Sequence, residues 1–421
     1  MASTISVRDR REAALDRLAD AGVRPERRRP ARTRPKATRR DRTATSQRIE
    51  RLGPPTGTWY GIVAVVAVFV MLGLVMVLSA SAVTQSNQGN SPYTVFIRQA
   101  IWASIGLVGL IVMAKVPYNS WRRLIIPLSV LGVAAMFGPF APGIGASVNG
   151  ANAWIRVGSF SVQPSEFLKL VVILAVAELL TRRADLMNHR RRTLAPLACI
   201  AAVGAGLCLL QRDLGSAIVL GAIVFSIAWI AGVPFVPMSV MAAVSTAIGL
   251  LFVVSSPMRL DRFTAFRDIT GNKDHLSWQT YQSLVSMASG GLGGSGIGGS
   301  KTKLGYLPYA HSDFIFAIIA DELGMIGAGA VIGGFLLLVF FGIQTALAAP
   351  DRFGMLVAGG VASWFGVQAI VNLGGVTGLM PVTGLTLPFF SAGGSSLFVS
   401  MAAAGLLLSV ARRIGVRTGS R

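Results

Sequence analysis

From Thr58 onward the chain alternates long apolar runs with short polar connections. Ten runs are long enough to cross about 30 Å of hydrocarbon: 58–80, 94–114, 123–141, 164–181, 193–210, 213–232, 235–256, 312–346, 353–376 and 385–411. The third is short and broken by Pro and Gly, and the eighth is long enough to bend or to begin outside the bilayer. The pattern predicts an all-α polytopic membrane protein of about ten transmembrane helices. Residues 1–55 have no sustained apolar face and predict a disordered basic tail, with a short amphipathic helix possible around Val7–Leu18. The first apolar run begins too late and runs too long for the core of a cleavable signal peptide. A transmembrane domain over 56–412 and a short basic tail over 413–421 complete the organisation. Neither a repeat of 20–50 residues nor a clear pairing of broken helices is visible, which speaks against a secondary transporter.

Composition agrees with this class: of 421 residues 52% are hydrophobic and 14% charged, and the mean hydropathy is +0.61. The net charge of +21 raises the question of nucleic acid, and the placement of the charge answers it. Residues 1–51 hold 16 Lys/Arg against 7 Asp/Glu, and much of the remaining basic charge flanks apolar runs. Arg27–Arg42 suits an anionic lipid surface rather than nucleic acid. Basic residues in the tail, at 115–123, at 182–192 and after 411 fall on one side of a ten-span arrangement, which predicts cytoplasmic termini. The long loop 257–310 then lies outside, with six Lys/Arg. An anionic outer substrate would explain them, as would the weak hold of the charge rule on long loops. Cys199 and Cys208 suggest neither a zinc site nor a disulfide framework.

Ionisable groups inside apolar runs mark function by default. The stretch Lys301–Gly327 places His311 and Asp313 where a polar segment meets an apolar run, with Asp321 and Glu322 inside that run. Asp313, at the outer start of the eighth span, reads as a general base or as a helix cap; a partly desolvated carboxylate is the better base. Glu166 and Lys169 share a helix face at i,i+3, either as a structural bridge or as lining of a substrate cavity. Asp213 opens the sixth span as a helix cap or a site group. Seven glycines among residues 290–299 make either a flexible loop or a phosphate-binding nest assisted by Lys301 and Lys303.

Four ordered motifs carry a resemblance: QPSEFLK (Gln163–Lys169), QRDLGS (Gln211–Ser216), LGYLPYAHSDFIFAIIADELG (Leu304–Gly324) and GLTLPFFSAGGSSL (Gly384–Leu397). Over about 58–412 the chain resembles the SEDS family, the shape, elongation, division and sporulation proteins of bacterial cell-wall synthesis. Gly73–Val83 and the stretch Tyr281–Gly298 look more like the division branch than the elongation branch. The resemblance implies a ten-span peptidoglycan glycosyltransferase that polymerises lipid II at the outer face of the bacterial cytoplasmic membrane, at the division septum.

The family's catalytic aspartate falls on Asp313, and its cavity-lining pair on Glu166 and Lys169. Gln163, Asp213, His311 and Ser395 lie in the same motifs and are expected at the substrate. Arg262, Lys301 and Lys303 are candidates for the charge of the undecaprenyl pyrophosphate leaving group. A divalent cation, Mg or Mn, is a plausible cofactor, with Asp313 as a possible ligand. Implied partners are a class B penicillin-binding protein and other divisome membrane proteins. The sequence departs from the family at Arg212, Ser312, Ala392 and Ala153. Two other functions fit the same motifs, a lipid II flippase and a non-enzymatic division scaffold.

Overall fold

The computed structural model describes residues 55–414 apart from 149, 159 and 272–276. The N-terminal tail, the C-terminal tail from Gly415 and their expected disorder and lipid contacts lie outside the described residues. Among those residues eight helical segments are long and apolar enough to cross a membrane. They are α1 (Gly57–Asn87), α2 (Thr94–Lys115), the composite Tyr118–Phe140 containing α3 (Ile125–Ala135), Arg190–Leu210 containing α5 (Ala195–Leu210), α7 (Phe235–Val254), α10 (Ile315–Leu347), α11 (Arg352–Val376) and α12 (Gly394–Ala411). The two remaining expected spans are also helices. α4 (Pro164–Arg182) is interrupted by charge, and α6 (Leu214–Ile230) has 17 residues.

α11 and α12 form the centre and are buried almost throughout. α12 packs along α2, and α11 packs against α10, α6 and α4. Small residues allow this closeness: a Cβ on Gly405 would strike the backbone of Leu110, and one on Gly342 would strike Ala362. Such stripes replace the hydrophobic driving force that lipid removes. By contrast α7 is peripheral, with Phe235, Val236, Val240, Leu251 and Val254 exposed.

One end of the bundle is basic. There Arg122 and Arg182 both bind Glu178. Tyr118 donates to Asp351 at 2.8 Å, and Arg412 and Arg413 lie over Trp59 and Tyr118.

Three elements depart from the sequence expectation. The last span begins at Gly394 rather than 385; Leu385–Gly393 is an irregular segment containing Pro388 and a left-handed Phe389 (φ 69). The all-α reading also missed a three-stranded antiparallel sheet, β1 (Gly145–Val148), β2 (Ala151–Val157) and β3 (Phe160–Val162). The long loop contains two further helices, α8 (Pro257–Ala265) and α9 (Trp278–Gly290).

The glycine-rich stretch is neither a loose loop nor a phosphate nest. It closes a break in α10 at Gly324 (φ 67, ψ −170), where the helical hydrogen-bond ladder stops. Ser295 N–H and Gly296 N–H donate to the carbonyls of Asp321 and Glu322, while Met325 N–H and Ile326 N–H donate to Gly291 and Leu292. Backbone polar groups at membrane depth must find partners within the protein, and only glycine permits this approach: a Cβ on Gly324 would lie 2.4 Å from Gly294 N. Side chains lock the strap as well. Asp321 accepts from Ser286, Ser300 and Thr302 at 3.2, 2.6 and 3.3 Å.

Gly324→Ala combines a left-handed backbone with this clash. It should destabilise the protein by at least about 1–3 kcal/mol, read as a lower midpoint of thermal unfolding in detergent, whereas Gly329→Ala, which meets open space, should not.

Candidate active site

Asp313 stands just before α10, at the end of the bundle opposite the basic cluster. Its position is fixed through the main chain. Three successive carbonyls, those of His311, Ser312 and Asp313, each accept from a different group: Ala392 N–H at 2.9 Å, Ser391 Oγ at 2.7 Å and Asn372 Nδ2 at 3.0 Å. Asn372 also donates to Leu385 O at 2.7 Å, and Ser391 Oγ accepts from Leu387 N–H. The irregular 385–393 segment is therefore the seat on which Asp313 rests. A shallow cleft lies beside it, lined by Asn372, Gly375, Thr383 and Gly384. Burial pushes the half-buried Asp313 carboxyl up to about 6; a hydrogen bond from Ser312 opposes that, and the negative charge of Asp213 adds to it.

Gln163, Asp213 and Ser395 form one connected group. Gln163 Nε2 donates to Asp213 Oδ2 at 2.9 Å, and Gln163 N–H donates to Ser395 Oγ at 3.1 Å. Asp213 also caps α6, its Oδ1 accepting from Ser216 N–H at 2.9 Å. Asp213 is thus a helix cap whose other oxygen is held by Gln163.

One turn deeper, Lys169 Nζ lies 2.7 Å from Glu166 Oε1, with both side chains buried. The ammonium also donates to Gln368 Oε1 at 2.8 Å and lies 5.0 Å from the Trp364 ring centroid. Gln368 in turn donates to Thr386 O at 2.8 Å. The second Glu166 oxygen is buried with no protein partner. The bridge therefore ties α4 to α11 and to the seat of Asp313.

Not every candidate joins Asp313. Lys303 is buried and salt-bridged to Glu322 at 2.8 Å, and it donates to Gly298 O at 2.7 Å and Ser79 Oγ at 3.1 Å. Its charge is committed to holding the glycine strap against α10 and α1. Lys301 is exposed on that strap. Arg262 stands on α8, and its side chain lies outside the described residues. His311 faces a second cavity, with Arg98, Trp102 and Trp154.

Among the described residues no three His, Cys, Asp or Glu side chains gather as a metal site, and both Asp213 oxygens are engaged by Ser216 and Gln163.

Sequence reasoning missed Gln368 and Asn372. Two amides at i,i+4 within an otherwise apolar span were the available signal.

The fold and this site define a class, a polytopic helical membrane protein with ionisable groups converging at one end of the bundle. The chain belongs to the FtsW/RodA/SpoVE family of cell cycle proteins, whose family model it matches over residues 60–414. It is 37% identical over 349 residues to a probable peptidoglycan glycosyltransferase FtsW of Trichlorobacter lovleyi, covering 83% of this chain and 92% of the relative. It is 36% identical over 351 residues to stage V sporulation protein E of Bacillus subtilis, covering 83% and 96%. The structure is similar to a chain of a peptidoglycan synthase complex in which polymerization and crosslinking are coordinated (TM-score 0.69, 30% identity, 84% of this chain and 98% of that one). It is likewise similar to the rod shape determining protein RodA of Thermus thermophilus (TM-score 0.62, 30% identity, 84% and 96%).

Removing one partner of a buried pair leaves the other charge uncompensated, at about 3–5 kcal/mol. Lys169→Met and Glu166→Gln should each lower the unfolding midpoint in detergent more than the double variant does. Equal stability of all three proteins would show that the pair is not buried in the folded molecule.

Proposed function

We propose that the chain is a division-type peptidoglycan glycosyltransferase, polymerising lipid II with its Asp313 end at the outer face of the cytoplasmic membrane. The observation that carries this reading is a single one. A carboxylate with its pKa raised to about 6 is clamped at the mouth of a cleft through three consecutive carbonyls. A base is most effective when its pKa lies near the working pH, and a rigid seat supplies the orientation that transfer needs.

In the reaction, Asp313 takes the proton of the acceptor sugar's 4-hydroxyl. The oxygen attacks the donor's anomeric carbon, the new C–O bond forms, and the bond to the diphosphate breaks with its electron pair. Polyprenyl diphosphate departs from the opposite face, so the configuration inverts. Gln163, Asp213 and Ser395 shape the floor beside this centre, and the Lys169–Glu166 bridge holds that floor.

The family names, together with the similarity to a synthase complex, support a penicillin-binding protein as partner, and septal placement goes with the division-type relatives. The flippase and scaffold readings separate from this one by product: neither forms glycan in a purified system.

Asp313→Asn keeps shape and cannot accept a proton. It should insert and fold normally and lose at least about 10²–10⁴-fold in glycan formation from lipid II, measured with the cognate transpeptidase present. Near-normal polymerisation by the folded variant would remove Asp313 from the mechanism.

For the wild type, kcat/KM should fall about tenfold per pH unit below the Asp313 pKa of about 6. The sign for stability is opposite. A carboxyl raised by burial favours the protonated fold, a contribution present in full below the unfolded value of about 3.9 and lost as pH rises through about 6. Asp313→Asn should therefore be no less stable than wild type at pH 8, read from unfolding midpoints.

A further inference from the structure

The break in α10 gathers side chains as well as backbone. Asp321, Glu322 and Lys303 meet there, and all three are buried. Two carboxylates against one ammonium leave a negative charge uncompensated. Lys303 does not serve both acids. An ammonium has three donors, and these go to Glu322 Oε1 at 2.8 Å, Gly298 O at 2.7 Å and Ser79 Oγ at 3.1 Å. Asp321 makes no ion pair among the described residues. A buried carboxylate without a cation is costly in a membrane segment. This one also stands in the last turn before the break at Gly324, where the helix dipole disfavours negative charge.

Oxygen atoms surround it instead. Ser286 Oγ of α9, Ser300 Oγ and Thr302 Oγ1 lie 3.2, 2.6 and 3.3 Å from Asp321 Oδ2. Thr302 Oγ1 is also 2.8 Å from Ser286 Oγ and 2.9 Å from Ser300 Oγ. Each hydroxyl carries one proton, so three hydroxyls cannot place a hydrogen in all five of these approaches. Oxygens that crowd together beyond their supply of protons have lone pairs to offer a cation. Ser286, Ser300 and Thr302 are themselves buried, and Ser295 Oγ closes the other side at 3.4 Å from Asp321 Oδ1.

This set selects a ligand by hardness and charge. All-oxygen donors suit hard cations, and a single carboxylate among neutral hydroxyls balances a single positive charge. Interrupted membrane helices offer Na⁺ such a place, at the C-terminal end of the half-helix. We propose that the break in α10 binds a monovalent metal cation, Na⁺, with Asp321, Ser286, Ser300 and Thr302 as its ligands. The ion neutralises Asp321 and joins α9 and the glycine strap to the outer part of α10. Neither the lipid substrate nor Asp313 enters the argument, so the site stands apart from the glycosyltransferase reading.

The test uses the full chain purified in dodecyl maltoside, in choline chloride of fixed ionic strength, with radioactive sodium as probe and no lipid II. Wild-type protein should bind the probe saturably, and unlabelled NaCl should displace it. Ser300→Ala should weaken binding at least tenfold, and Asp321→Asn should abolish it. A ligand that binds only the folded state raises its stability, so NaCl in place of choline chloride should raise the wild-type unfolding midpoint and leave that of Asp321→Asn unmoved. Ser286→Ala is the further variant, expected to behave as Ser300→Ala if Asp321→Asn folds poorly.

Folded wild-type protein without saturable sodium binding would overturn the assignment, as would unchanged binding in both serine variants. A midpoint indifferent to NaCl that rises only as pH falls would identify a proton as the neutralising charge, and would overturn it too. Sodium binding by a protein that forms no glycan would sink the glycosyltransferase reading and leave the cation site standing.

Discussion

The ammonium of Lys169 is the charge on which the rest of the structure turns. Wholly enclosed among helices, it is tolerable only because Glu166, Gln368 and the Trp364 ring surround it. Uncompensated, an ion at that depth costs several kcal/mol. α4 and α11 must therefore stay in register, since a slide of either would part Lys169 from Gln368 and the Trp364 ring. From Gln368 the constraint passes to Thr386, and from Thr386 to Ser396 at 2.8 Å, which fixes the irregular segment between α11 and α12. A packed apolar interface would hold two helices equally well without dictating where a third segment lies. The polar network dictates it.

That segment carries the chemistry. The Asp313 main chain is held by Asn372 and by Ser391 and Ala392, and Ser312 hydrogen-bonds the carboxylate itself. Its oxygens stay available at the cleft while the backbone beneath them is held. This separates two demands that usually conflict, burial enough to raise basicity and freedom enough to meet a hydroxyl. The neighbouring Gln163–Asp213–Ser395 group supplies a second floor that joins α4, α6 and α12.

Much of this was legible in the sequence, and what was not has physical reasons. All ten apolar runs contain helices, and eight of the described helical segments are long and apolar enough to cross a membrane. Asp313, Glu166 and Lys169 stood out because charge within such runs is rare. The start of α12 was placed nine residues early: Leu385–Gly393 is apolar enough to continue a span, and hydropathy does not register Pro388 or the left-handed Phe389. The sheet at 145–162 went unseen because its strands are only 4, 7 and 3 residues long. Lys303 looked like a free cation because its partner Glu322 is 19 residues away on another element. The glycine-rich stretch misled most. Its residues suggest mobility, while their use is close approach to a helix whose ladder has been cut.

That cut has a mechanical meaning. The part of α10 beyond Asp313 runs only from Ile315 to Leu323 before the break, about 13 Å of helix at 1.5 Å per residue. It is a short lever, and its fulcrum is the strap rather than the continuing helix. Torque along the long inner half cannot cross Gly324 through a hydrogen-bond ladder. It can reach Asp313 through the groups that grip Asp321 and Glu322, and through α11, whose Asn372 holds the Asp313 carbonyl. The strap is consequently the coupling that lets the two halves of the broken helix move as one body.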